Sequence, residues 1–473
     1  MADWAGRKVL VIGAARQGIA LARYLSRHAA QVTLTDQKTS ESLAGAASAL
    51  ADLPIRWALG GHPSSLLDDC DLVCPSGGVS LDLPLIAEAR RRGIQLSNDS
   101  QIFLEIAPCK VIGITGSAGK TTTTTLVWRM ANAAVSVHGW EAGGKIFLGG
   151  NIGVPLISVV DEMTAADLAV MELSSFQLEV MTCSPQVAAV LNITPNHLDR
   201  HGTMEAYTAA KARILEFQSP SGVAVLGHED PGAWRLAAKA RGKVFSFGMK
   251  PPPEMRLARI ETCTYYRDGS LYLWDGHSET ELMPRSVIRL RGEHNLLNVL
   301  AACAISAAAG LPSKAMRAGV DGFNGVAHRL EFIRHWGGAD WYNDSIATAP
   351  ERVMAAIRSF NEPLVLLIGG RDKHLPWDEF AVLASQRVDH LVLFGEMADL
   401  VEKALTSAGK GAYTLVKCAS LREAVQAAAR IVAPSQAVPF TGAVLLSPGG
   451  TSFDEFRDFE ERGDAFRKWV SEL

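Results

Sequence analysis

The chain has 473 residues, of which 48% are hydrophobic and 20% charged, a balance that supports packed cores and excludes disorder. Its length fits about two to four domains. A net charge of −4 and a pI near 6.3 leave no basic footprint for nucleic acid or an acidic membrane surface. The seven cysteines are scattered without C-x-x-C spacing, so reduced thiols are expected rather than a zinc site or a disulfide framework. The first residues lack the apolar core of a signal peptide, and no uncharged apolar run reaches the ~18–20 residues that cross a bilayer. A cytoplasmic protein without membrane insertion is the expectation.

In chain order, Lys8–Ile12 (KVLVI) reads as a short buried strand, followed by the turn Gly13-Ala-Ala-Arg-Gln-Gly18 and a helical pattern. A second strand begins at Gln31 and ends at Asp36, giving a βαβ unit with an acid about 20 residues after the turn, as in dinucleotide-binding folds. Ala15 occupies the place of the middle glycine of G-x-G-x-x-G. That glycine normally lets a pyrophosphate approach the backbone, so ordinary NAD binding is disfavoured though not removed as a reading.

The next strand, Lys110–Thr115, feeds Thr115-Gly-Ser-Ala-Gly-Lys-Thr121 and then a helix. The full phosphate-loop pattern G-x-x-x-x-G-K-[ST] is not met, because Ile114 holds the first glycine's place. Backbone N–H groups around Gly116, Ser117 and Gly119 at a helix N-terminus can still face phosphate oxygens. Lys120 can neutralise their charge, and the hydroxyls of Thr121 and Thr122 follow, the former suited to Mg²⁺. Glu172 ends the apolar strand starting at Leu168, where open α/β sheets bind ligands. A carboxylate there requires a metal or a structural ion pair. His197 follows the strand starting at Val187, and Lys211 lies on the helical stretch beyond it. Each alone is an ordinary surface residue; their occurrence together downstream of the loop is what singles them out.

The stretch from about 250 to 290 alternates aromatic residues with threonine and predicts a small antiparallel sheet. Three further strands, at Pro363–Gly370, His390–Gly395 and Ala443–Ser447, are separated by helical stretches. The fold class is therefore α/β with three domains: a Rossmann-like domain over 1–108, a phosphate-loop ATPase-like parallel sheet over 109–325, and a second Rossmann-like domain over 326–473.

The motifs TGSAGKTT, ELSSFQLE, NITPNHLDRH and YTAAKARI resemble those of the Mur ligase family, and the likeness continues through RGEHNLLN, GVAHR, YNDS and SPGGTSFDEF to the end of the chain. The resemblance implies an ATP-dependent amide ligase of cytoplasmic peptidoglycan precursor synthesis. It would add D-glutamate to UDP-N-acetylmuramoyl-L-alanine through an acyl phosphate, working as a monomer. By the same resemblance, Arg16, Gln17, Asp36, Gln37, Lys38, Ser76, Gly78 and Asn151 would hold the UDP substrate. Asn295, Arg329 and Asp344 would join Gly116–Thr122 on ATP. Thr348, Lys373, Ser452, Phe453 and Phe459 would hold glutamate. Lys120, Glu172, His197 and Lys211 would be catalytic, with two Mg²⁺ ions on Thr121, Glu172, His197 and a carbamylated Lys211.

Two departures stand out. Ser117-Ala118 replaces a Thr/Ser-Asn pair common in relatives, and Ile346 stands where many carry lysine, which leaves Lys373 as the obvious cation for the amino acid. The alternatives are a ligase adding L-glutamate to the same nucleotide, a polyglutamate-adding ligase, a catalytically dead nucleotide-binding regulator and, from a different class, an NAD-dependent dehydrogenase.

Overall fold

The structure, a computed structural model, describes residues 3–136, 144–252, 260–409, 411–433 and 440–473. Three parallel-dominated sheets follow one another along the chain. The first comprises β1 (Lys8–Ile12), β2 (Gln31–Asp36), β3 (Arg56–Leu59), β4 (Leu72–Pro75) and β5 (Gln95–Leu96) in the order β3-β2-β1-β4-β5, all parallel. Its helix Arg16–Arg27 buries Leu21, Ala22 and Leu25, the side of the helical repeat that turns to the strands.

The second sheet is formed by β6 (Lys110–Thr115), β7 (Ile146–Gly150), β8 (Leu168–Glu172), β9 (Val187–Val190), β10 (Val223–Gly227), β11 (Lys243–Gly248), β12 (Ile260–Arg267), β13 (Ser270–Trp274) and β14 (Glu279–Pro284). Its order is β14-β13-β12-β11-β10-β9-β6-β8-β7. The central strands β6, β8 and β9 are buried almost end to end, as expected for parallel strands covered on both faces. The antiparallel pairing expected near 250–290 is present in β12–β14, but it is not a separate sheet: β12 pairs in parallel with β11 and extends the central one. Residues 253–259 of that stretch lie outside the described residues.

The third sheet contains β15 (Glu331–Trp336), β16 (Ala339–Asn343), β17 (Leu364–Gly369), β18 (His390–Phe394), β19 (Thr414–Cys418) and β20 (Gly442–Gly449), ordered β15-β16-β20-β17-β18-β19. Only the β15–β16 pair is antiparallel. By contacts the chain divides into two compact units, 1–288 with 293–322, and 289–292 with 323–473. The first two sheets share one unit and the third forms the other. The expected boundaries at 108 and 325 both fall between strands, the first inside the larger unit. Among the described residues no helix is long and apolar enough to cross a membrane.

Candidate functional site

β6 is flanked by β8 on one side and β9 on the other, and the chain after β6 turns first to one side and later to the other. Loops leaving the carboxyl ends of such neighbours diverge and open a crevice. Thr115–Gly119 leaves β6 into this crevice and leads into the helix Lys120–Ser136. Its shape is imposed by Asn192, just beyond β9. The Asn192 carbonyl accepts from Ser117 N–H at 3.0 Å, and its side-chain oxygen accepts from Ala118 N–H at 2.8 Å. The Ser117 hydroxyl donates to Thr194 O (2.9 Å) and lies 3.0 Å from the Tyr207 hydroxyl. Ser117 is thus occupied in holding the loop, and the N-terminal end of the helix Lys120–Ser136 is the feature of the loop suited to a phosphate. Gly119 has a φ of +81°, and a Cβ there would meet Asn298 Oδ1 at 2.2 Å, so this corner requires glycine. Lys120 Nζ curls back to donate to Gly116 O (2.9 Å) and Ser117 O (3.3 Å), over the same loop.

Glu172 ends β8 in register with Ile114 on one side and Gly150 on the other, and is only 2% exposed. Its oxygens accept from Thr121 Oγ1 and Asn151 Nδ2, both at 2.9 Å, so neutral donors rather than a salt bridge hold it. Gly150, with a φ of +97° and room for no Cβ (Glu172 O would lie at 2.3 Å), lets the chain turn Asn151 onto this carboxylate. A buried carboxylate beside a hydroxyl at the mouth of a phosphate loop is an oxygen-donor pair that fits Mg²⁺. Among the described residues no group of three or more His, Cys, Asp and Glu side chains forms a ready metal cluster.

Lys211, on the helix Met204–Glu216, is 1% exposed and points at the loop from beneath. Its amine donates to Gly116 O (2.9 Å) and Thr115 Oγ1 (3.4 Å) and lies 4.7 Å from the Tyr207 ring centroid. Burial, with the charge of Lys120 adding to it and Glu172 opposing, pulls its pKa down to about 7. His197 is exposed and held at a φ of 52°, a left-handed conformation uncommon for a residue with a side chain. Its ring meets the edge of Phe176, which also stacks on His201 and lies under the Arg200 guanidinium at 4.4 Å. Sequence reading assigned no role to Asn192, Phe176 or His201, although all three lie within the stretches ELSSFQLE and NITPNHLDRH.

Beside the loop lies a cavity of about 260 Å³ lined by Ala118, Asn192, Phe247, His294, Leu297 and Asn298, among others. Asn295 does not line it; its side-chain oxygen accepts from Asn298 Nδ2 at 3.0 Å.

In the first sheet, the Asp36 carboxylate accepts from Ala14 N–H (2.8 Å) and Lys38 N–H (2.9 Å). Although burial opposes it, these bonds and the nearby Lys38 and His62 hold its pKa below the usual range. Oδ2 thus shapes the Gly13 turn and Oδ1 the local turn at Lys38, which weakens the dinucleotide reading further. Ser76 Oγ donates to Gly13 O (3.0 Å) and Gln17 Oε1 accepts from Gly77 N–H (3.3 Å). Gln37, Lys38 and Gly78 are exposed around this turn. Arg16 Nη2 donates to Asn151 O at 3.2 Å, joining the first sheet to the Glu172 cluster within the unit.

In the second unit, Asp344 is 5% exposed; it accepts from Ser447 Oγ (2.9 Å) and Leu330 N–H (3.2 Å), and burial raises its pKa to about 7. Arg329, half-buried nearby, acts on it electrostatically. Lys373 Nζ donates to Thr348 Oγ1 at 3.0 Å. Ser452 is buried, Phe453 is 60% exposed, and Phe459 opens the last helix with its ring edge-on to His328. Beneath them lies Arg462, fully buried, which donates to Ser345 Oγ, Ser345 O and Gly450 O at 3.0–3.2 Å.

Three parallel-dominated sheets, with a phosphate-loop strand–loop–helix in the middle one, define a multi-domain α/β nucleotide-utilising class. Residues 7–98 match the Mur ligase MurD-like N-terminal domain, 114–306 the Mur ligase middle domain and 328–444 the Mur ligase glutamate ligase domain. The chain belongs to the Mur ligase family. It is 40% identical over 466 residues to a UDP-N-acetylmuramoylalanine–D-glutamate ligase of Symbiobacterium thermophilum, covering 98% of each chain. It is 38% identical over 472 residues to the protein of that name from Geotalea uraniireducens, covering 99% of this chain and 98% of the other. Solved structures share the fold at lower identity. UDP-N-acetylmuramate-alanine ligase from Thermotoga maritima matches with a TM-score of 0.56 at 20% identity over 98% of this chain and 100% of the other. MurF from Acinetobacter baumannii matches at 0.58 and 18% over 98% and 93%.

Proposed function

We propose that this chain is an ATP-dependent ligase that joins D-glutamate to UDP-N-acetylmuramoyl-L-alanine, in the cytoplasm and as a monomer. Full-length identity to ligases of that name supports the substrates. The observation that carries the chemistry is the convergence of Lys120, Thr121 and Glu172 on one loop above the buried amine of Lys211. All seven cysteines are unbridged, in keeping with a reducing compartment.

A carboxylate is a poor electrophile, so the alanyl carboxylate first attacks the γ-phosphorus of ATP; an O–P bond forms and ADP leaves. The amine of glutamate then attacks the acyl carbon, a C–N bond forms, and phosphate and a proton depart. Both reactants of the first step are anions. The first-turn N–H groups and Lys120 offset that charge and set the line of approach. Thr121 and Glu172 would hold one Mg²⁺, and His197 with a carbamylated Lys211 a second; when bound, the ions supply charge neutralisation of the phosphates and orientation of the transferred group. Only a neutral amine combines with CO₂. A pKa near 7 leaves about half of the Lys211 amines neutral at that pH, so the carbamate can form by N–C bond formation with loss of a proton. The cavity lined by Asn192, Phe247 and His294 has an apolar wall and few polar groups, suited to a nucleobase. Arg16, Gln17, Asp36, Gln37, Lys38, Ser76, Gly78 and Asn151 would hold the UDP substrate, and Thr348, Lys373, Ser452, Phe453 and Phe459 glutamate, with Asn295, Arg329 and Asp344 serving ATP.

The test is release of ADP that depends on both UDP-N-acetylmuramoyl-L-alanine and an amino acid, with D-glutamate, L-glutamate, D-aspartate and L-lysine run in parallel. Preference for D-glutamate is expected. Preference for L-glutamate would overturn the handedness alone, and preference for lysine the pocket itself.

A further inference from the structure

Glutamate brings two carboxylates, and Ile346 offers no charge on the loop that carries Thr348, the hydrogen-bond partner of Lys373. The loop supplies a cation from elsewhere. Arg352, in the first turn of the helix Pro350–Ile357, sends its Nη1 back to the Ile346 carbonyl at 3.2 Å. The same carbonyl accepts from Thr348 N–H at 2.9 Å, and the Thr348 hydroxyl accepts from Lys373 at 3.0 Å. The Arg352 and Lys373 side chains therefore converge on the three residues 346–348, one from four positions beyond that loop and the other from 25 positions beyond Thr348.

Arg352 is exposed, its hydrogen bond to the Ile346 carbonyl uses Nη1 alone, and its charge is also felt by the buried Asp344. The helix it starts has an Ala349 cap that offers no side-chain acceptor, leaving the helix end positive. Lys373 is pushed below its ordinary pKa by burial first and then by Arg352 and Arg462, so the positive charges are close enough to repel one another. Cations gathered around one loop are stable together when an anion joins them.

We propose that Arg352 is a specificity-determining residue of the amino-acid site, binding one glutamate carboxylate while Lys373 binds the other, and thereby replacing the charge that Ile346 lacks. This rests on the reading of the second unit as the glutamate site. A planar guanidinium can grip a carboxylate with two parallel N–H donors, which a lysine at 346 could not.

The test uses the full chain in steady-state assays with ATP, UDP-N-acetylmuramoyl-L-alanine and glutamate varied in turn. Arg352→Gln keeps an N–H for the Ile346 carbonyl but removes the charge. It is expected to raise the KM for glutamate by about 10-fold or more, with kcat and the other two KM values unchanged. Arg352→Ala should behave alike, and Ile346→Lys added to Arg352→Ala should bring the glutamate KM most of the way back. If Arg352→Gln leaves the glutamate KM unchanged while Lys373→Ala raises it, the proposal is overturned and the glutamate site stands. If neither variant moves that KM, the glutamate site falls and the proposal with it. A rise in all three KM values together, or a fall in kcat alone, would assign Arg352 a structural role and equally overturn the proposal.

Discussion

Lys211 and Arg462 are both sealed from solvent, at 1% and 0% exposure, yet their surroundings differ. Arg462 spends its guanidinium on four hydrogen bonds to Ser345 and Gly450, and burial lowers its pKa only to about 10, so it stays a cation. Lys211 has one good acceptor, Gly116 O, and a longer contact to Thr115, and its pKa falls to about 7. The well-partnered cation is a brace under the Gly449–Thr451 turn. The poorly partnered one is the residue proposed to react, because what the protein withholds from its charge it adds to the availability of its lone pair.

The largest effect expected is at Lys211. Lys211→Ala should lose at least ~10³-fold in turnover, with partial rescue by formate or acetate filling the place of a carbamate. Retained activity, or wild-type indifference to removal of bicarbonate during reconstitution, would break the contrast. Lys120→Ala tests a cation only partly buried: about 10²–10³-fold loss of turnover is expected. Calorimetric binding of the UDP substrate should be nearly unchanged, since the Gly13 turn belongs to another sheet. Equal losses in both would undo the division of labour between the two sheets. Lys373→Ala should raise the KM for glutamate by about 10–100-fold, the worth of a charged hydrogen bond, and Lys373→Arg should recover part of it.

Stability sharpens the contrast further. Arg462→Met strands the carbonyls of Ser345 and Gly450 and should cost about 2–4 kcal/mol, read as a lowered melting temperature of the second unit. Lys211→Met should do the opposite. Folding holds the Lys211 amine near 7 against 10.5 when free, so the unfolded chain binds the extra proton between those values. Wild-type stability then falls as the pH is lowered across that window and the cost is complete below about 7. The melting-temperature advantage of Lys211→Met should therefore grow as the pH drops through the window and level off beneath it. A constant difference would show that the amine is not the cause.

What could be read from the sequence is what has a local cause. A buried β strand running into Thr115-Gly-Ser-Ala-Gly-Lys-Thr121 announces its own loop and helix, and the apolar strand ending at Glu172 places that carboxylate at the sheet's carboxyl edge. The α/β class and the three successive sheets follow from the same alternation. The pairing of β12 with β11 was not legible, because edge pairing is decided by residues far apart, and an antiparallel meander looks the same whether it stands alone or extends a parallel sheet. The role of Asn192 within NITPNHLDRH was not legible for a similar reason: it lies in a partner 74 positions away. Arg352 left no motif because its contact runs from a side chain to a backbone carbonyl, which any residue at 346 would supply.

Asn151 carries an unequal constraint on how this sequence can drift. Its carbonyl accepts from Arg16 and its N–H donates to Glu172 O, contacts that belong to the backbone and survive any replacement the turn tolerates. Its side-chain amide, by contrast, donates to Glu172 Oε1. Aspartate would set a second carboxylate against the first, serine would fall short of it, and glutamine would overreach it. The position is thus free in its backbone contacts with both sheets and frozen only in its side-chain contact with the Glu172 carboxylate. A saturation library at Asn151 should return asparagine almost alone under selection for growth, even though half of what the residue does could be done by anything.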